Sequence, residues 1–176
     1  MTMALDRRPP DFSLEGVDGG VHTLASYDGA DVLVLVQWCN HCPYVIGWQD
    51  RLNEIQRDYA ARGVRIVAVN SNDAERYPGD SFEEMVERAK EKSYSFDYLY
   101  DPSQGVARYL GSERTPEVFV FDRDRRLVYH GAIDDSRDET AVSVSYLRDA
   151  LDAILGGRDP AIAETPPVGC SVKWLP

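Results

Sequence analysis

The sequence has few cysteines, no long hydrophobic run and no excess of basic charge. Three cysteines in 176 residues are too few for a disulfide framework. No run approaches the roughly 20 apolar residues that span a bilayer, and the first ten residues lack the apolar segment of a secretory signal. We therefore expect a cytoplasmic chain. Thirty acidic residues against 19 basic ones give a net charge of −11, which argues against nucleic acid or an anionic membrane as a partner.

The remaining composition is that of an ordinary globular protein. Apolar residues make up 43% of the chain and charged residues 28%, and the length suits one domain with a sizeable core. Prolines at positions 160, 166, 167 and 176 exclude a regular helix near the C-terminus. The sequence therefore predicts one domain over residues 1–157 and an extended tail over residues 158–176.

An apolar run over residues 32–38 ends in two cysteines separated by two residues, Cys39 and Cys42. The run does not alternate, which is typical of a strand buried on both faces. Apolar residues then recur at steps of three and four up to residue 59, before Gly63, and predict an amphipathic helix. Because a helix N-terminus favours negative charge, the pattern predicts thiol chemistry, with Cys39 as the reactive thiol of lowered pKa.

The rest of the chain alternates between strand and helix patterns. Residues 12–15 and 21–24 flank a glycine-rich turn and predict a hairpin. Further strands are predicted over residues 64–70, 96–100, 117–121 and 127–131, and helices over residues 81–89, 101–111 and 144–154. The strand–helix–strand order around the cysteines predicts a parallel pair with a right-handed crossover. The polar loop over residues 71–80 follows a strand and is expected to flank the dithiol.

The segment that carries the cysteines resembles the Trp-Cys-x-x-Cys active site of the thioredoxin superfamily; it reads Trp38-Cys39-Asn40-His41-Cys42. The redoxin branch, related to alkyl hydroperoxide reductase and thiol-specific antioxidant proteins, has similar extra N-terminal strands, and the resemblance runs from about residue 10 to residue 155. It implies a three-layer α/β/α sandwich with a central mixed sheet. It also implies a thiol–disulfide oxidoreductase that acts on protein disulfides or small thiols, is recharged by a thiol reductant, and needs no organic cofactor or metal. The oligomeric state stays open.

The resemblance assigns roles to residues of this segment. Cys39 attacks a substrate disulfide and Cys42 resolves the mixed disulfide. Trp38, Asn40 and His41 tune the dithiol. As a cation or hydrogen-bond donor, His41 would stabilise the Cys39 thiolate and make the disulfide a stronger oxidant.

A second element of the resemblance is Thr115-Pro116, which precedes a predicted strand. In the superfamily this Thr-Pro bond is cis and lies across from the dithiol, where the backbone of the residue before proline pairs with a substrate strand. Substrate binding by Thr115 and Pro116 is therefore expected by analogy.

Two positions depart from the family patterns. The buried aspartate that thioredoxin places six residues before its first cysteine is Leu33 here, so the proton acceptor for Cys42 is unidentified. Peroxiredoxins place a Thr or Ser three residues before the peroxidatic cysteine. In this chain that position is Val36 if Cys39 is the peroxidatic cysteine, and Cys39 if Cys42 is. A peroxiredoxin-like antioxidant peroxidase is therefore the alternative and not the leading prediction.

A thiol-based metal-binding module is a further alternative. Cys39, Cys42 and His41 are soft ligands. The fourth ligand would come from one of three distant residues, His22, His130 or Cys170. The absence of a second Cys-x-x-Cys or a His-x-x-x-His motif from the sequence weakens this alternative.

Cys170 lies far from the pair in the sequence. A single cysteine near a terminus is most often a small buried hydrophobic residue, and a resolving or regulatory thiol is the alternative. Trp174 is expected to pin the tail to the domain and so to bury Cys170.

Overall fold

The computed structural model describes Leu5 and residues 7–176, and a mixed β-sheet organises this part of the chain. The described part of the chain forms the strands β1 (Ser13–Gly16), β2 (Val21–Thr23), β3 (Val32–Trp38), β4 (Val64–Asn70), β5 (Asp97–Tyr100), β6 (Arg114–Thr115), β7 (Glu117–Phe121), β8 (Leu127–Gly131) and β9 (Cys170–Ser171), of which β6 and β9 form a separate two-stranded sheet. Its α-helices are α1 (Pro43–Tyr59), α2 (Phe82–Glu91), α3 (Gly105–Leu110) and α4 (Tyr146–Leu155). No helix of the described residues is both long and apolar enough to cross a membrane.

The main sheet has seven strands in the order β2-β1-β5-β4-β3-β7-β8. The pairs β3–β4 and β4–β5 are parallel, whereas β7 and β8 are antiparallel additions next to β3. All seven residues of β3 are buried. The sheet is therefore mixed, as predicted, and its central strand leads directly into the cysteine pair.

Side chains of β3 alternate between two hydrophobic cores. Val34 and Val36 pack in the core that includes residues of α1, α2 and α4. Leu33 and Leu35 pack in the core on the other face, with α3 and a 3₁₀ turn near Tyr27. Successive side chains of a strand point to opposite faces, so these contacts confirm the three-layer α/β/α prediction.

Most predicted elements are confirmed, and the N-terminal hairpin and strands β4, β7 and β8 lie where the patterns place them. Two helices begin later than predicted. The Asp101 carboxylate accepts hydrogen bonds from the backbone N–H groups of Val106 and Ala107, so α3 starts after it rather than at it. Asp135 binds the Val144 N–H in the same way and holds that residue outside α4.

The C-terminal tail is docked on the domain. Strand β9 pairs antiparallel with β6, with Cys170 opposite Thr115 and Ser171 opposite Arg114. The Val172 side chain that follows is buried, and the indole of Trp174 lies under the guanidinium of Arg108. The predicted contact of Trp174 with the domain is therefore confirmed, but Cys170 is only partly buried. The tail ends at the same edge of the sheet as the dithiol.

Candidate dithiol active site

The two cysteines lie at the corner between the central strand and the first helix. Strand β3 ends at Trp38, so Cys39 is the first residue after it, and Cys42 is the N-cap of α1. Pro43 is the first helical residue, where a missing N–H costs nothing and the fixed φ angle suits the helix. The predicted strand-to-helix corner is therefore confirmed.

Both thiols are free and buried. Cys39 is 2% exposed and Cys42 is 9% exposed. Cys42, and not the predicted reactive thiol Cys39, is the more exposed residue of the pair. Cys42 is the N-cap of α1 and does not lie within its first turn.

Thr115 contacts both sulfur atoms. Its Oγ1 lies 3.4 Å from Cys39 Sγ, and its carbonyl oxygen accepts a hydrogen bond of 3.5 Å from Cys42 Sγ. The Thr115–Pro116 peptide bond is cis, as the resemblance predicted. The three predicted residues Cys39, Cys42 and Thr115 therefore form one site although 73 positions separate Cys42 from Thr115.

The cysteine pair shares a hydrogen bond that splits the two pKa values. The Cys39 thiol donates to Cys42 Sγ and so lowers the pKa of Cys42, and Cys170 and the Val45 N–H act in the same direction. The same bond, together with burial and the negative charge of Asp80, raises the pKa of Cys39, which the Thr115 hydroxyl only partly offsets. The bond from Cys39 thus favours ionisation of Cys42, whereas the bond that the Cys42 thiol donates to the Thr115 carbonyl favours its neutral form. The raised pKa of Cys39 runs against the predicted lowered pKa of that residue.

Asn40 is fully buried and holds the turn between the cysteines in place. Its backbone N–H donates to Asp80 Oδ1 at 2.8 Å, and its Nδ2 donates to the Gly79 carbonyl at 2.9 Å. Its Oδ1 accepts a hydrogen bond of 2.7 Å from Tyr98. Asn40 thus binds the 78–80 segment and strand β5, and it positions the dithiol without contacting either sulfur among the described hydrogen bonds.

His41 does not lie against the sulfur atoms. Its half-exposed ring is 3.8 Å from the Glu84 carboxylate and close to Gly79. Among the hydrogen bonds and ion pairs described for the chain, His41 has none with Cys39 or Cys42. The prediction that His41 stabilises the Cys39 thiolate therefore finds no contact to support it.

Trp38 is a core residue. Its side chain is fully buried and packs edge-on against Phe96, with 5.9 Å between ring centroids. It contributes to the packing beneath the dithiol, so any influence on the thiols is through the position of Cys39.

Sequence reasoning missed Asp80 as part of the site, although it predicted that the 71–80 loop would flank the dithiol. The Asp80 carboxylate is nearly buried and accepts hydrogen bonds from the Asn40 N–H and from Asn72 Nδ2. The backbone carbonyl oxygen of Asp80 accepts a further hydrogen bond from the Asn70 side chain. Asp80 is 40 positions from Asn40, so no local pattern marks it.

Sequence reasoning also missed the placement of Cys170. Cys170 is only partly buried and packs on the core that contains Cys42. Burial and the neighbouring Cys42 raise the pKa of Cys170 to about 11. The prediction of an inert hydrophobic cysteine did not anticipate this contact, because nothing in the sequence indicates that β9 pairs with β6.

The residues named as distant metal ligands lie in other contacts. His22 binds Asp18 at 3.0 Å, and His130 binds the buried Glu117 at 2.8 Å. Within Leu5 and residues 7–176, no group of three or more His, Cys, Asp or Glu side chains is arranged to hold a metal ion.

The chain is similar to known redox proteins over most of its length. A model of the AhpC/TSA family matches residues 5–130. The thiol-disulfide oxidoreductase ResA of Geobacillus thermodenitrificans is 27% identical over 127 residues, which cover 71% of this chain and 67% of that protein.

Two solved structures match nearly the whole chain. The hypothetical protein SMc02350 from Sinorhizobium meliloti has a TM-score of 0.94 and 38% identity, with 99% of this chain and 97% of that chain covered. An uncharacterized conserved protein from Geobacillus kaustophilus has a TM-score of 0.93 and 43% identity, with 98% and 93% covered. The similarity therefore includes the docked tail, beyond residues 5–130.

Proposed function

The chain belongs to the AhpC/TSA family and has a thioredoxin-like fold, and we propose that it is a thiol–disulfide oxidoreductase that uses Cys39 and Cys42. Its substrates are protein disulfides or small disulfides, and a thiol reductant restores the dithiol. One observation carries the proposal: the sulfur atoms of Cys39 and Cys42 converge on Thr115, directly before the cis-proline. A relative that is itself named a thiol-disulfide oxidoreductase supports it.

The reaction is a pair of thiol–disulfide exchanges. A thiolate of the pair attacks a substrate disulfide, forms a mixed disulfide and releases one substrate thiolate. The second cysteine then attacks the mixed disulfide, releases the other substrate thiol and leaves a Cys39–Cys42 disulfide. Two electrons pass from the dithiol to the substrate, and the reductant later returns them.

We assign the first attack to Cys42, whereas the family resemblance assigns it to Cys39. Cys42 is the more exposed residue, and the hydrogen bond from Cys39 lowers its pKa. The thiolate is the nucleophile in such exchanges. Cys39 then serves as the resolving thiol, and Thr115 Oγ1 lies beside it.

The test is reduction of insulin disulfides by dithiothreitol, with and without the protein. The wild-type protein should accelerate the reaction, and Cys42→Ser should abolish the acceleration. Circular dichroism of the variant separates a lost nucleophile from a lost fold. A wild-type protein that fails to accelerate disulfide reduction, or a folded Cys42→Ser variant with full activity, would contradict the proposal.

Peroxide reduction is a second candidate, and one contact favours it. Thr115 Oγ1 supplies a hydroxyl 3.4 Å from Cys39 Sγ, although the sequence lacks the Thr or Ser that peroxiredoxins place before the cysteine. Because Cys39 is buried and its pKa is raised, we expect slow reaction with hydrogen peroxide. Peroxide consumption faster than disulfide reduction in stopped-flow measurements would promote this candidate above the first.

A further inference from the structure

The C-terminal tail places a third thiol at the dithiol. Cys170 is the partner of Thr115 in the β6–β9 pair, and Thr115 is the residue whose carbonyl oxygen accepts the hydrogen bond from Cys42. Cα atoms that face each other in an antiparallel pair lie about 4.5–5.5 Å apart. Cys170 and Cys42 therefore approach the same backbone unit, and Cys170 packs on the core that contains Cys42.

The segment before Cys170 fits closely against the cis-proline turn. A Cβ atom at Gly169 would lie 2.2 Å from the Thr115 carbonyl oxygen and 3.1 Å from the Pro116 nitrogen. Both are backbone atoms, which cannot swing aside as a side chain can. Only glycine lets the tail come this close to Thr115, so the approach of Cys170 to Cys42 depends on residue 169.

Several hydrogen bonds hold the segment after Cys170. The Val172 N–H donates to the Glu113 carbonyl at 3.0 Å. The Lys173 N–H donates to Asn72 Oδ1 at 2.9 Å, and its carbonyl accepts from Asp73 and Gln104. The tail is thus tied to three separate segments around the site, which holds Cys170 against the pair.

We propose that Cys170 is a third redox-active cysteine, which attacks Cys42 in the Cys39–Cys42 disulfide and moves the disulfide to Cys42–Cys170. This inference rests on the proposed function, because that function supplies the Cys39–Cys42 disulfide. The oxidised protein then exists in two forms, one with a free Cys170 thiol and one with a free Cys39 thiol.

The step balances without an external oxidant. The Cys170 thiol loses its proton, and its sulfur forms a bond with Cys42 Sγ as the Cys39–Cys42 bond breaks. The bonding electrons leave with Cys39 Sγ, which takes up the proton. Thr115 Oγ1 lies next to Cys39 Sγ and can donate a hydrogen bond to the departing thiolate.

Tryptic mapping of the oxidised full-length protein tests the inference. Trypsin leaves the three cysteines in two peptides, residues 8–51 with Cys39 and Cys42, and residues 159–173 with Cys170. The protein is oxidised with oxidised glutathione, quenched in acid, blocked with N-ethylmaleimide and digested without reduction. Mass spectrometry of the digest of the monomeric protein should find the two peptides linked, with the blocking group on Cys39.

Cysteine variants identify the bond. In Cys39→Ser, glutathione attached to Cys42 should be displaced by Cys170, so that the linked peptides become the main product. Cys170→Ser should give only the Cys39–Cys42 disulfide. Cys42→Ser should not link Cys39 to Cys170, and a Cys39–Cys170 link in place of the expected one would overturn the inference.

Gly169→Ala tests the geometry, because its added Cβ collides with Thr115. This variant should lose the linked peptides and keep the Cys39–Cys42 disulfide. Gly29→Ala is the matched control, since a Cβ at Gly29 meets nothing within 4 Å, and it should behave as wild type. Persistence of the link in Gly169→Ala at the wild-type level would overturn the inference.

The two proposals fail in different ways. If the wild-type protein reduces insulin and forms Cys39–Cys42, but the linked peptides are absent from both wild type and Cys39→Ser, the role of Cys170 is wrong and the proposed function stands. If neither insulin reduction nor a Cys39–Cys42 disulfide is found, the proposed function fails first. The Cys39→Ser result does not depend on a substitution in the tail, so misfolding of Gly169→Ala cannot decide the outcome.

Discussion

Thr115 brings its side chain to one sulfur and its backbone to the other. Its Oγ1 is next to Cys39, its carbonyl accepts a hydrogen bond from Cys42, and its strand pairs with Cys170. A single residue therefore contacts both sulfur atoms of the dithiol and pairs with the residue that carries the third thiol. The family resemblance implied that Thr115 lies opposite the dithiol, but it did not imply which sulfur receives which contact.

The order of the two pKa values in the dithiol predicts the pH range in which it reacts. The hydrogen bond from Cys39 lowers the pKa of Cys42, so we expect Cys42 to give up the proton that it donates to the Thr115 carbonyl at a lower pH than a free cysteine does. The thiolate is lost only when the pH falls through this lowered value, well below the roughly 8.5 of a free cysteine. We expect the reduced protein to show thiolate absorbance in mildly acidic solution and to retain its alkylation rate there.

Serine variants assign this thiolate. Cys42→Ser should remove the absorbance at mildly acidic pH. Cys39→Ser should keep much of it, since the serine hydroxyl can still donate to Cys42. If Cys42→Ser retains the signal and Cys39→Ser loses it, the thiolate is on Cys39, as the sequence suggested.

The elements around the site differ in how far local patterns predict them. Strand β3, helix α1 and the N-terminal hairpin follow from runs and periods of neighbouring residues, and the patterns place them correctly. Strand β9 has two residues, Cys170 and Ser171, and exists only because β6 is beside it. A strand this short carries no period, so the sequence predicted an extended tail but not its partner.

The 71–80 loop shows the same difference. Its position after β4 predicts that it flanks the dithiol. The contact that ties it there, between Asp80 and the Asn40 N–H, joins residues 40 positions apart. Hydrophobic patterning does not report such polar contacts.

The turn between the cysteines offers a matched pair of substitutions. Asn40→Ala removes the partner of the buried Tyr98 hydroxyl and of the Gly79 carbonyl. A buried group that loses its hydrogen bond costs about 1–3 kcal/mol, so we expect the free energy of unfolding in urea to fall by about 2 kcal/mol. His41→Ala, in the next position, should change it by less than about 0.5 kcal/mol, because the His41 ring is half exposed.

The redox potential of the dithiol gives a second measurement for this pair of substitutions. If His41 tuned the Cys39–Cys42 redox couple, His41→Ala would shift the reduction potential of that couple, measured against glutathione, by about 30 mV or more, the equivalent of about 1.4 kcal/mol. With its ring beside Glu84 and not beside a sulfur, we expect a shift of less than about 15 mV. Equal losses of stability in the two variants, or a large shift in His41→Ala, would contradict this division of roles.

In the whole molecule, the tail closes the domain over its own reactive site. The chain crosses from the far side of β8, where Glu164 bridges His130, to the cis-proline turn and then to α3. Cys39 and Cys42 are buried, with 2% and 9% exposure. We therefore expect a substrate disulfide at Cys42 to come close to Cys170, which packs on the core that contains Cys42.

This closure predicts how a covalent complex with a substrate can be captured. A mixed disulfide on Cys42 has two thiols within reach, because Cys39 donates to Cys42 and Cys170 lies beside it. Removing Cys39 alone leaves Cys170 to release the substrate, so the Cys39→Ser variant should accumulate little adduct. The double variant Cys39→Ser/Cys170→Ser leaves Cys42 with no neighbouring thiol among the described residues, and its adduct should persist. Cys42→Ser should form none.

Non-reducing gels with a model protein disulfide, followed by mass spectrometry of the adduct, measure these differences. We expect at least about tenfold more adduct in the double variant than in Cys39→Ser, a ratio that corresponds to about 1.4 kcal/mol. Equal amounts in the two variants would mean that Cys170 does not resolve the mixed disulfide. Adduct in Cys42→Ser alone would return the first attack to Cys39. Each variant leaves a different set of thiols next to the bound substrate. The amounts of adduct in the three variants therefore decide which sulfur attacks the substrate and which thiols release it.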